Sequence, residues 1–110
     1  MRATEFEAEL RREDGIAVLD LAGDVSAAAE QGLREAYQLV EGEPVVVLDF
    51  SAVDYINSTG IALIVGVLAQ ARTTGQDVQA RGLAEHYREI FRITRLSDFM
   101  TILDDEGEEQ

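Results

Sequence analysis

The chain has no cysteine, no lysine and no tryptophan, and it has one histidine and one proline. Without cysteine there is no disulfide, no thiolate metal site and no cysteine nucleophile. One proline leaves no Pro-rich linker, and 110 residues are enough for one compact domain and too few for two. No apolar stretch approaches the roughly 18 residues of a membrane span, so no direct membrane insertion is expected. The opening MRATEFEAEL lacks the apolar core of a signal peptide, so the expected location is the cytoplasm. With arginine as its only basic residue besides the one histidine, the chain carries a formal net charge of −13. Such a surface repels nucleic-acid backbones, which call for basic patches. The expected macromolecular partner is therefore a protein. The end DDEGEEQ, residues 104–110, holds five of the 22 acidic residues and reads as a solvated, disordered tail to a domain spanning 1–103.

Patterning then orders the elements. EFEAELR alternates, with Phe6, Ala8 and Leu10 on one side, as a half-buried strand does. Asp14-Gly15 is a hairpin signal, and IAVLDLAG reads as a more buried, antiparallel second strand. From Ser26 the period changes: Ala29, Leu33, Ala36, Tyr37 and Val40 recur at helical spacing, with Ser26 as the N-cap and Gly42 beyond the end. Pro44 blocks continuation. VVVLDF, rich in β-branched residues, is expected as a central strand covered on both faces. A helix from Ile61 to about Thr73 follows, then a weaker strand at DVQARG, a third helix from about Ala84 to Thr94 and a last strand at FMTILDD. The order β-β-α-β-α-β-α-β describes an α/β domain with an N-terminal antiparallel hairpin and later strands mostly parallel.

Between the central strand and the second helix lies DYINSTG. Ser58 stands where the helix begins; as an N-cap its hydroxyl would accept a backbone N–H bond worth roughly 1 kcal/mol, and Asn57 offers the same bond. Several candidate caps release the serine from capping. A phosphate on Ser58 would add about −1.5 to −2 charge at the positive end of the helix dipole. Along the helix, Ile61, Ile64, Val65 and Leu68 form the expected core stripe, and Ala62, Gly66, Ala69 and Thr73 form a stripe of small residues. Leu63 and Val67 fall on a third side with Gln70 and Thr74, away from that core stripe. Either the helix is buried all round, or these outward residues make an apolar interface.

The segment VVVLDFSAVDYINSTGIALIVGVLAQAR resembles the signature of the STAS domain, shared by bacterial anti-sigma factor antagonists and the cytoplasmic portions of sulfate transporters. Asp49, Phe50 and Ser51 match its Asp-Leu-Ser strand end; Ser58, Thr59 and Gly60 match its loop–helix junction. LDLAGDV and IFRITRLSDFMTI are similar to two further family stretches, so the likeness spans nearly the whole chain. The resemblance implies a single STAS-type domain that binds an anti-sigma factor, often a serine-protein kinase, and is switched off by phosphorylation and restored by a phosphatase. Carried over, Ser58 is the expected phosphosite, with Thr59 in reserve. Ile56, Asn57, Ser58, Thr59, Gly60, Leu63 and Val67 are the expected partner surface. Two positions depart from the pattern: Asn57 and Ser26 stand where antagonists usually have aspartate.

Other readings carry less. His86 lies on a helix rich in charge, as a surface histidine does. Asp49 and Asp54, near a strand end, resemble part of a phosphoacceptor receiver site, but such a site also needs a lysine and the chain has none. No Gly-rich phosphate loop or metal-spaced cluster is present, so no catalytic residue, cofactor or metal is expected. The alternative function stays within the fold: an accessory or scaffold subunit, of a lipid ABC transporter or a stress-sensing complex, that docks a protein without a phosphorylation cycle.

Overall fold

A computed structural model of the chain describes residues 5–103. The acidic end at 104–110 lies outside the described residues. Strand β1 (Glu7–Glu13) pairs antiparallel with β2 (Ile16–Val25), and the turn between them places Asp14 and Gly15 in left-handed backbone with φ 53° and 82°. That is the geometry for which Asp-Gly is chosen in tight hairpins. A 3₁₀ turn at Ala27–Ala29 leads into α1 (Glu30–Gln38). Ser26 precedes that turn and its carbonyl accepts the Ala29 N–H at 2.8 Å, but its side chain makes no capping hydrogen bond, contrary to expectation. Strand β3 (Val45–Ile56), helix α2 (Ser58–Thr74), strand β4 (Asp77–Arg81), helix α3 (Glu85–Ile93), a 3₁₀ turn at Leu96–Asp98 and strand β5 (Thr101–Ile102) complete the described chain.

The sheet runs β1-β2-β3-β4-β5, with every pair after the first parallel. The mixed sheet with three helices therefore matches the order read from the sequence. Each crossover steps one strand in the same direction. Because β-α-β crossovers are right-handed, all three helices arrive on one face. Their buried side chains, among them Leu33, Ile64, Leu68 and Phe91, join Leu19, Leu48 and Phe50 in one apolar cluster. Phe91 of α3 meets Phe50 of β3 edge to face, ring centroids 6.2 Å apart. Fully burying side chains of this size contributes about 1.5–3 kcal/mol each.

This layering corrects the expectation that β3 is covered on both faces. Val18 and Val47 are buried but lie outside that cluster, on the face that alternates with it. Arg11 pairs with Asp20 at 2.6 Å and Glu13 at 3.0 Å, and Arg81 pairs with Asp49 at 3.0 Å and Glu13 at 2.8 Å. The register sets Arg11 opposite Val18 and Val18 opposite Val47, so these paired charges share a face with the two valines. Burial pushes the Asp49 carboxyl up, but hydrogen bonds from Ser51 and Arg81 outweigh it and hold the group below the usual carboxylate range. Asp49 is thus engaged by its own strand end and by Arg81. No described helix is long and apolar enough to cross a membrane.

Candidate functional site

The candidate site lies at the carboxyl ends of β2 and β3, where the chain turns into α2. Three contacts fasten that turn. The Ile56 N–H donates to the Tyr87 hydroxyl at 3.0 Å, which ties the loop to α3. The Asn57 N–H donates to the Val25 carbonyl at 3.3 Å, which ties it to the end of β2. Asn57 Oδ1 accepts from the Gly60 N–H at 2.8 Å, so Asn57, in extended backbone, is the N-cap of α2. Gly60 meets the same carbonyl of Val25: a Cβ added there would lie 1.9 Å from its oxygen. Only glycine lets the helix start so close to the neighbouring strand.

With Asn57 capping, Ser58 becomes the first helical residue. Its side chain is exposed, and its hydroxyl makes no hydrogen bond to any described residue. Thr59 is exposed beside it. The first amides of a helix are its electropositive end, so an anion on either hydroxyl meets favourable charge.

The structure divides the expected partner residues. Ser58 and Thr59 face solvent, and Asn57 is half-buried by its capping role. Ile56 is buried at 4% exposure, and Gly60 is buried against β2. The expectation of an exposed Ile56 and Gly60 is therefore corrected: one side chain belongs to the core, and the other position has no room for a side chain. Helix α2 also sits rotated from the projected faces. Val67, expected away from the core, is buried at 8%, whereas Val65, expected within it, is 44% exposed. Gly60 abutting Val25 sets the angle at which α2 lies on the sheet, and the buried set becomes Gly60, Ile64, Val67, Leu68 and Ala71. Leu63 is half-buried and packs on the core. Leu63 and Val67 still border an open groove of about 440 Å³ between α1 and α2, shared with Leu33, Tyr37, Glu30 and Arg34.

What α2 offers to solvent is a ridge: Ser58, Ala62, Val65, Ala69 and Arg72, all exposed and spaced three or four apart. Tyr55, 53% exposed, flanks the motif from the end of β3. Sequence reasoning missed Tyr55 and Val65 as surface residues. Tyr55 alternates with the buried Ile56, so the strand period places it outward despite the register shifts between β2 and β3. His86 is exposed, with its ring 4.9 Å from that of Tyr87. Among the described residues, no three His, Asp or Glu side chains group as a metal site.

This geometry has known counterparts. A family model described as "Mlab, STAS domain" matches residues 8–104. An anti-sigma-B factor antagonist of Listeria monocytogenes is 34% identical over 91 residues, covering 80% of this chain and 79% of that protein. The crystal structure of an anti-sigma factor antagonist from Mycobacterium paratuberculosis superposes with a TM-score of 0.69 at 25% identity, over 88% of this chain and 84% of that one. The Bacillus cell fate determinant SpoIIAA in its phosphorylated form shares the fold, with a TM-score of 0.66 at 16% identity over 92% and 93% of the two chains. With its one-sided α/β layer, its Ser-Thr-Gly helix start and a model match across nearly its whole length, this chain belongs to the STAS-domain family.

Proposed function

We propose that this protein is an anti-sigma factor antagonist: it binds an anti-sigma factor of the serine-kinase type in the cytoplasm and is released when Ser58 is phosphorylated. One observation carries the reading. The Ser58 hydroxyl stands in solvent at the N-terminal end of α2, relieved of capping by Asn57 and adjoining an apolar ridge. Phosphate there adds about two negative charges without dislodging any fold contact, because no described residue bonds that hydroxyl. The same charge stands at the rim of the ridge, where a docked apolar partner would have to desolvate it. The names of the Listeria and Mycobacterium proteins, and the phosphorylated state of the Bacillus protein, support the assignment by likeness. A phosphatase would reset the switch.

The test is binding of the cognate anti-sigma factor by wild type, Ser58→Ala and Ser58→Asp, with mass spectrometry of the protein recovered from its host. Loss of binding in Ser58→Asp alone, with phosphate found at Ser58, supports the switch. Equal binding by all three variants refutes it. A second reading has its own observation: the matching family model is described as "Mlab", and Asn57 and Ser26 stand where antagonists usually have aspartate. On that reading the ridge docks a protein constitutively, as an accessory or scaffold subunit. Binding to a transporter subunit, indifferent to Ser58→Asp, would establish it.

A further inference from the structure

The far end of the α2 ridge carries a second feature that Ser58 does not explain. Arg72 lies fourteen positions beyond Ser58, about 21 Å along the helix. Its guanidinium sits 5.2 Å from the centroid of the Phe99 ring. Between them and α2 opens an apolar groove of about 290 Å³, floored by Leu68 and Leu96 and walled by Val65 and Phe99. Phe99 is 50% exposed and Val65 44%, while Leu68 and Leu96 are buried at 4% and 5%.

The charge of Arg72 is the informative part. Arg11, Arg12, Arg34, Arg81, Arg92 and Arg95 each hold a carboxylate within ion-pair distance. Arg72 has no ion pair with any described residue, although the chain carries 22 acidic residues. Lying over a ring face, a guanidinium keeps its N–H edges open to an outside acceptor. A cation with no ion pair to any described residue, set at the lip of an apolar groove, is complementary to an apolar side chain with a carboxylate beside it.

We infer that this groove docks an acidic, apolar segment of a protein partner, an aliphatic side chain resting on Leu68 and Leu96 and a neighbouring carboxylate meeting Arg72. The chain's own 104–110 segment is acidic but has no apolar side chain to fill the floor. The groove on the opposite flank of α2 is lined by Glu30, Arg34 and Glu41, whereas Arg72 is the charged side chain lining this one, Asp77 and Asp98 lining the next hollow past Arg72 and Phe99. The inference does not depend on whether Ser58 is modified.

The test titrates the isotope-labelled full chain with a blocked synthetic peptide alternating leucine and aspartate, and with its lysine counterpart. The expected result is saturable amide shifts confined to residues 65–72 and 94–99 with the aspartate peptide. Arg72→Gln should weaken binding roughly tenfold through loss of a charged hydrogen bond, and Phe99→Ala by a similar factor through loss of the apolar wall. Circular dichroism should stay unchanged, since both side chains are exposed. Ser58→Asp should leave peptide affinity as it was. Equal shifts with the lysine peptide, or none in these stretches, overturn the proposal. So does tighter binding of decanoate than of the peptide, which assigns the groove to a small amphiphile. Shifts there on concentrating the protein alone assign it to a second copy and overturn it equally.

Discussion

The two sides of helix α2 are built from similar residues and do opposite work. Inward, Gly60, Ile64, Val67, Leu68 and Ala71 lie against the sheet and the other helices. Outward, Ser58, Ala62, Val65, Ala69 and Arg72 meet water. Val65 and Val67 are the same residue type, yet one is 44% exposed and the other 8%. Composition does not assign a role to a position on such a helix; the angle at which the helix lies on the sheet does. An inward change should therefore cost stability and an outward change should cost recognition.

Substitutions ordered by expected effect test that division. Ile64→Ala, at a side chain with 1% exposure, should lower unfolding free energy by about 2–5 kcal/mol in urea titration. A loss below that of any outward variant would break the comparison. Gly60→Ala forces a Cβ onto the Val25 carbonyl, a backbone atom that cannot step aside, and should cost about 1–3 kcal/mol. An unchanged melting temperature would show that α2 is not seated against β2 as described. Asn57→Ala removes the cap and should cost about 1 kcal/mol, whereas Ser58→Ala should cost much less. The reverse ranking would return the capping role to the serine and remove the main support for its availability. Val65→Gln and Ser58→Asp should stay within about 0.5 kcal/mol of wild type while partner binding falls, which calorimetry against the cognate anti-sigma factor would measure. Unfolding of Val65→Gln on the scale of Ile64→Ala would put that side chain back in the core.

How far the sequence could be read follows from the strength of its local signals. The hairpin was legible because Asp14-Gly15 dictates a turn that few other pairs adopt. Helix α3 was legible because its apolar and charged residues separate cleanly, with Tyr87, Ile90 and Phe91 on the packed side. Helix α2 was legible as a helix, but its orientation was not. Apolar residues surround it almost evenly, so a rotation of a fraction of a turn exchanges Val65 for Val67 with little change in the projected pattern. The exposed start of the site, at Ser58 and Thr59, followed from a strand-to-helix junction with several possible caps. Which residue caps was not legible: Asn57 and Ser58 both carry a suitable oxygen, and only the position of the Val25 carbonyl selects between them.

By itself the sequence determined the element order, the mixed sheet and the place where a hydroxyl opens a helix, because turn chemistry, periodicity and caps act over a few neighbouring residues. The tertiary structure alone decided that all three helices share one face, that paired charges lie on the other, and that Arg72 shares a groove with Phe99. These outcomes depend on strand order and on the close approach of Gly60 to Val25, contacts between residues distant in the chain. Local patterning is the same for every strand order, so only packing could choose among them.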